Sequence, residues 1–190
     1  MKNLSKYFAA ALVSLSLVAC SSKAPDVASS SSPSPSPSAS ASASSSNDQL
    51  KTLIDKASSQ LTSNDFQGTL DTSNQIISQY PDNPVGYLLR GTAESGLKNY
   101  QSSLDDMTKV LKLKPPDALL PGVYLTASID EYNLQQNVDD AKQGMQKVID
   151  LYKSAGQDTK LPEFYLAKMN AGEPVDITMK ADSSSPSPSN

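Results

Sequence analysis

Histidine and tryptophan are absent from this chain of 190 residues, and cysteine and arginine each occur once. Without histidine, neither a Ser-His-Asp nor a Cys-His nucleophile pair can be assembled, and zinc sites of the usual kind lose their nitrogen ligand. A single cysteine forms no disulfide within the chain, so its presence needs another explanation. Basic residues are few as well: 16 Lys and Arg stand against 20 Asp and Glu, for a net charge of -4. No basic stripe is available to neutralise phosphates, which argues against nucleic acid as a partner. Glycine-rich phosphate loops and EF-hand patterns are missing too. The adjacent acids Asp105-Asp106, Asp130-Glu131 and Asp139-Asp140 look like catalytic pairs. Neighbours on a helix diverge by about 100°, however, and such acids read as solvated faces or first-turn residues favoured by the helix dipole. No enzyme chemistry, metal or cofactor is expected.

What the chain does contain begins at its amino terminus. Lys2 and Lys6 precede an uncharged, mostly apolar run from Tyr7 to Val18, the pattern of a secretory signal. The run is short for a retained span, since about 20 apolar residues are needed to cross a bilayer as a helix. It ends in Leu17-Val18-Ala19-Cys20-Ser21. This segment resembles the lipobox of bacterial lipoproteins. The resemblance implies thioether attachment of diacylglycerol to Cys20, cleavage before it, and a lipid anchor on a membrane, the outer one if the host has two. An ordinary signal peptide with an incidental cysteine, or an uncleaved anchor, are the alternatives.

Ser21 to Ser46 is almost wholly Ser, Ala and Pro, and Ser183 to Asn190 repeats the Ser-Pro alternation. Segments of this composition cannot bury enough apolar surface to offset the entropy of ordering. The organisation expected is therefore a signal peptide over 1–19, a lipidated cysteine with a disordered tether over 20–46, a helical domain over 47–172 and a disordered tail over 173–190. A flexible tether of that length has a root-mean-square span of roughly 30 Å.

Within the domain, a self-offset of 34 residues pairs Phe66 with Tyr100, Leu70 with Leu104, Ile76 with Val110, Ile77 with Leu111 and Pro81 with Pro115. Five matches at this period resemble the tetratricopeptide repeat, a helix-turn-helix unit that stacks on its neighbours. Pro84 to Pro115 is the clearest unit. Gly91 allows close helix approach, Tyr87, Leu104, Met107, Val110 and Leu111 fill the interior, and Asp82-Asn83 precede Pro84 as a capping signal. Leu50 to Asn83 is a looser copy, with Thr69 and Ser73 at positions usually apolar. A third copy appears at an offset of 38, which sets Val138, Ala141, Met145, Val148 and Ile149 under Tyr100, Ser103, Met107, Val110 and Leu111. Its four additional residues fall in a longer Pro115 to Pro121 loop, and Lys153 stands where the terminating proline is expected. Leu161 to Ala171, stopped by Gly172, reads as a terminal helix covering the open end.

The expected fold is all-α, a short right-handed superhelical stack of about three such helix pairs plus a C-terminal capping helix, with an unrelated helical bundle as the alternative. The resemblance implies a concave groove lined by the first helix of each unit. Its candidates are Lys51, Ile54, Ser58 and Leu61, then Val85, Leu88, Thr92 and Ser95, then Thr126, Asp130 and Asn133. Arg90 is expected to pair with Glu94 one helical turn on. The function implied is a membrane-tethered interaction module that holds a peptide segment or helix of an envelope protein. An accessory to an envelope enzyme or a solute-binding lipoprotein is the alternative.

Overall fold

The computed structural model describes residues 40–178. Among them are seven α-helices, one 3-10 turn and no strand: α1 Ser40–Thr62, α2 Phe66–Gln79, α3 Pro84–Gly96, α4 Tyr100–Lys112, a 3-10 turn Asp117–Leu119, α5 Leu120–Leu134, α6 Val138–Ser154 and α7 Lys160–Asn170. Phe66, Tyr100 and Val138, aligned by the internal offsets, are the first residues of α2, α4 and α6.

Helices pair in chain order, and each hairpin uses a short turn: 63–65 between α1 and α2, 97–99 between α3 and α4, and 135–137 between α5 and α6. Each turn holds one residue in the left-handed region, Asn64, Lys98 or Gln135. At the first two turns, the amide of the following residue donates back into the helix, Asp65 to the Gln60 carbonyl and Asn99 to the Glu94 carbonyl. This closure satisfies carbonyls that a helix end otherwise leaves orphaned. Starts are equally local. Asn83 caps α3 by accepting from the Val85 amide, with Pro84 behind it, and Asp65 caps α2 by accepting from Gly68. Pro81 follows the end of α2, and Lys114, Pro115 and Pro116 follow the end of α4.

Consecutive helices pack on one another, and α1 also touches α3 while α3 touches α5. Two apolar clusters result. One gathers Ala57, Leu61, Ile76, Leu89, Met107, Val110 and Val123; the other gathers Leu125, Ile129, Tyr132, Met145, Val148, Tyr165 and Met169. Helix α5 serves both. In the first hairpin, Thr69 and Ser73 are fully buried and satisfy their hydroxyls inside the fold, Thr69 to the Asp65 carbonyl and Ser73 to the Thr69 carbonyl. This is how a polar core position is tolerated.

Two expected boundaries shift. The tether was expected to reach residue 46, but α1 begins at Ser40, and Tyr80 donates from its hydroxyl to the Ser46 carbonyl at 2.8 Å. The last proline of the segment is Pro37, and the Ser-Ala run beyond it is free to be helical, alanine being the strongest helix former. The tail was expected from residue 173, but Val175 is buried in the second cluster. The longer Pro115 to Pro121 loop contains the 3-10 turn, with Leu119 buried in the first cluster. Helix α6 runs through Lys153, and Gly156, in the left-handed region, follows its end.

Gly91 is the close-approach residue expected. A Cβ there strikes Met107 Cε and lies 3.0 Å from Asp106 Cβ and 3.2 Å from the Ser103 carbonyl oxygen, a backbone atom that cannot swing away. Gly122, by contrast, has room, its nearest neighbour being Leu88 Cδ2 at 3.7 Å. We expect Gly91→Ala to destabilise by about 1–3 kcal/mol. Gly122→Ala is expected to stabilise by up to about 1 kcal/mol. Urea unfolding of the two variants checks the pair, and equal effects would exclude a packing role specific to Gly91.

Candidate functional site

The first helices of the three hairpins meet side by side. Thr92 of α3 faces Thr126 of α5 with hydroxyl oxygens 3.5 Å apart, and the Ser95 hydroxyl donates to Asp130 Oδ1 at 2.5 Å. These pairs are separated by 34 and 35 residues, short of the 38 that relates the second unit to the third in the sequence. Small side chains on both helices permit this approach, and the consequence corrects the expected groove lining. Leu61, Val85, Leu88, Thr92, Ser95, Thr126 and Asp130 are all buried. They are taken up in packing and offer little surface. Ile54, Ser58 and Asn133 are half-buried, and Lys51 is exposed but pairs with Asp55 at 2.6 Å.

Asp130 was also expected, with Glu131, to lie on a solvated face. Instead its relative exposure is 0%. Burial pushes its carboxyl up to about 7 from an ordinary 3.8; the Ser103 and Ser95 hydroxyls act against the change, and the charge of Glu131 adds to it. Neither Asp130 Oδ2 nor the buried Ser103 Oγ meets full hydrogen-bond geometry with any partner, although the Ser103 hydroxyl lies near enough to act on the carboxyl. Glu131 is raised as well, by burial and then by Asp140. Helices α3, α4 and α5 thus enclose a Ser95, Ser103, Asp130 cluster. Tyr100, at the start of α4, lies within electrostatic reach of both Asp130 and Asp176.

A second polar contact crosses the α3–α4 hairpin. Arg90 does not pair with Glu94. Its Nε donates to Asp106 Oδ2 at 2.8 Å, its Nη2 to Asp106 Oδ1 at 2.6 Å, and its Nη1 to Asn74 Oδ1 at 3.1 Å. Glu94 instead accepts from the Asn99 side chain. The Asp106 hydrogen bond holds the guanidinium above its ordinary range. Asp106, read from sequence as solvated, is buried, whereas Asp105, Asp139 and Asp140 are exposed as expected. Tyr87 lies under both Arg90 and Lys109, each 5.5 Å from the ring centre. This arrangement is a structural tie; nothing in it converges on open space.

The third contact involves the segment after α7. The helix ends at Asn170 with Gly172 in the left-handed region beyond it, Val175 enters the second core, and Ile177 packs partly against it. Asn133 Nδ2 donates to the Val175 carbonyl at 3.0 Å, and the Tyr165 hydroxyl reaches the Asp176 and Ile177 carbonyls at 3.2 and 3.3 Å. Of the residues expected to face a ligand, Asn133 is the one whose side chain binds a backbone carbonyl of a segment outside the helices. That backbone belongs to the chain itself. The apolar Val175 and Ile177 in a Pro-Val-Asp-Ile-Thr run carried the signal for an ordered segment.

Among the described residues, no group of three or more His, Cys, Asp or Glu could hold a metal, and no helix is long and apolar enough to cross a membrane. Cys20, the signal segment, the tether up to residue 39 and the tail from residue 179 lie outside the described residues. No protein-family model matches the chain, and a search of curated proteins finds no match to it.

Proposed function

We propose that this chain is a lipid-anchored interaction module of a bacterial cell envelope. In this reading, a right-handed stack of three tetratricopeptide-like helix pairs, closed by α7, is carried on a tether from Cys20 and holds an extended segment of an envelope partner. The observation that supports it most is the side-by-side contact of α3 and α5 at 34 and 35 residues, through Thr92 with Thr126 and Ser95 with Asp130. Repeated hairpins whose first helices align in this way present one continuous face built from several units, an arrangement suited to extended ligands.

Because the seam residues are buried, the contact surface falls to side chains at its margins: Lys51, Ile54 and Ser58 on α1 and Asn133 on α5. Lipidation at Cys20 supplies the attachment. Several acyl chains hold a protein stably, since each buried methylene contributes about 0.8 kcal/mol.

Photo-crosslinkers placed at Ile54 and at Asn133 in intact cells test both halves. The expected result is one shared crosslinked partner from these two sites and none from Asp150, an exposed position on α6. A Cys20→Ala chain is expected to leave the membrane fraction and to lose the crosslink. Indiscriminate capture from all three positions, or Cys20→Ala chains that resist a high-salt wash, would overturn the reading.

A further inference from the structure

The seam between α3 and α5 changes character along its length. At the start of α5 it is apolar: a Cβ at Gly122 lies 3.7 Å from Leu88 Cδ2, and Val123 is buried with Leu88 in the first cluster. One turn further the hydroxyls of Thr92 and Thr126 meet, and at the far end, close to the turns 97–99 and 135–137, the Ser95 hydroxyl donates to Asp130. Gly122 and Asp130 are eight residues apart, about 12 Å along the helix. The side chains with which α5 joins the first cluster, Val123 and Ala127, precede Asp130, whereas Ile129 and Tyr132 join the second. The helices before and after this seam thus have separate apolar cores, and the Ser95, Ser103, Asp130 cluster closes its far end.

That closure suits a neutral carboxyl and not a charged one. Asp130 is 0% exposed, and its Oδ2 meets no partner in full hydrogen-bond geometry. Ser95 faces it from α3 and Ser103 from α4, while Tyr100, at the start of α4, lies within electrostatic reach. Glu131 on its own helix adds negative charge, Asp140 of α6 acts in turn on Glu131, and Asp176, in the segment after α7, acts on Tyr100. Of the nearby cations, Arg90 is engaged with Asp106, and Lys98 is exposed in the turn beyond Ser95. Among the described residues, no cation acts on the Asp130 carboxyl. An unpaired charge held out of water is costly. Separation of α5 from α3 and α4 at this end gives the carboxylate a route to water that leaves both apolar cores intact.

We propose that the α3–α5 seam is a proton-controlled junction: a proton on Asp130 keeps the second and third helix pairs closed on each other, and its loss lets the third pair and α7 swing away about the Leu88–Gly122 contact. Such an opening is a hinge motion short of unfolding. Its direction with pH follows from burial. The closed junction raises the carboxyl to about 7, whereas an open one returns it to the ordinary 3.8, so the closed form binds the proton more tightly. Opening is therefore most disfavoured below pH 3.8, becomes easier as pH climbs to about 7, and is level above that. A face built from both sides of the seam is continuous in acid and interrupted more often in neutral solution. The device belongs to the fold itself and does not depend on the interaction-module reading.

Thiol labelling of the full chain with iodoacetamide, read site by site by mass spectrometry, tests the junction. Thr92→Cys places a thiol in the seam, Ala57→Cys one in the first cluster and Ala141→Cys one in the second, at positions that are 2%, 0% and 0% exposed. Each rate is divided by that of the same chain unfolded in urea at the same pH, which removes the effect of thiolate fraction. At pH 8 the seam thiol is expected to react at least about tenfold faster than the other two, the mark of an opening that precedes unfolding. Its corrected rate is expected to fall about a hundredfold from pH 8 to pH 5. With Asp130→Asn added, that fall is expected to shrink to less than about threefold, because the amide stays neutral throughout. Thr126→Cys, on the other side of the seam, stands in should circular dichroism show Thr92→Cys to have lost helix. Equal rates at all three positions, meaning that the seam opens only when the whole chain unfolds, overturn the proposal. So does a pH dependence of the seam thiol that survives Asp130→Asn.

Discussion

Replacement of Arg90 by alanine is expected to destabilise the fold by about 3–5 kcal/mol, the cost of leaving a buried carboxylate without its partner. The asymmetry of the pair carries the argument. The Asp106 side chain is 7% exposed while that of Arg90 is 29% exposed. Removing the arginine strands a charge that has no route to water. Removing the aspartate frees a long side chain that can lift its guanidinium toward solvent and keep its contact with Tyr87. Asp106→Ala should therefore cost less, about 1–2 kcal/mol. Arg90→Lys retains the charge but not the planar fork that meets both carboxylate oxygens, and it should fall between the two. A double replacement with apolar residues, Arg90→Met with Asp106→Leu, is expected to recover most of the stability lost by Arg90→Ala, because desolvation of both charges is then avoided. Urea titration of the four variants at pH 7 makes the comparison. Arg90→Ala costing no more than Asp106→Ala would mean that Asp106 finds solvent and that the tie is a surface pair.

Much of the helical framework was legible because its determinants are local. The offset matches Phe66, Tyr100 and Val138 mark helix starts, Asn83-Pro84 marks a cap, and Pro81 and Pro115 mark where second helices have ended. What was not legible depends on distances between elements. A helical repeat tells which face of α3 turns toward α5; it does not tell that Thr92 and Thr126 come within 3.5 Å and leave no channel between them. The same holds for charge. Arg90 and Glu94 are neighbours along one helix, but Asp106, 16 residues away across the hairpin, reaches both guanidinium edges. Gly91, which brings α4 close to α3, was the available hint that acids on the facing side of α4 could be enclosed. At the margins, composition misled: Ser-Ala beyond the last tether proline reads as tether until it is seen to continue α1. A Val-Asp-Ile run after Gly172 reads as tail until its apolar alternation is given weight.

Asp130→Asn should remove a pH dependence of stability on the order of 4 kcal/mol. The carboxyl is raised in the folded chain from 3.8 to about 7, and each tenfold gain in proton affinity corresponds to about 1.4 kcal/mol. A raised acid binds its proton more tightly when folded than when unfolded. Its neutral form therefore contributes fully below pH 3.8, the contribution is lost as pH climbs to about 7, and the curve is level above that. Desolvation gives the neutral form its advantage, against the pull of the Ser103 and Ser95 hydroxyls. A protonated Oδ2 can donate toward Ser103 Oγ, so that both buried atoms now short of full hydrogen-bond geometry are satisfied, while Oδ1 continues to accept from Ser95. The asparagine amide can make the same two bonds at any pH. The variant should thus match the wild-type chain near pH 4 and exceed it at pH 8 in unfolding free energy. Glu131, whose charge adds to the rise at Asp130, is retained in both chains. Parallel stability curves for the two chains between pH 4 and 8 would rule out a proton held at Asp130.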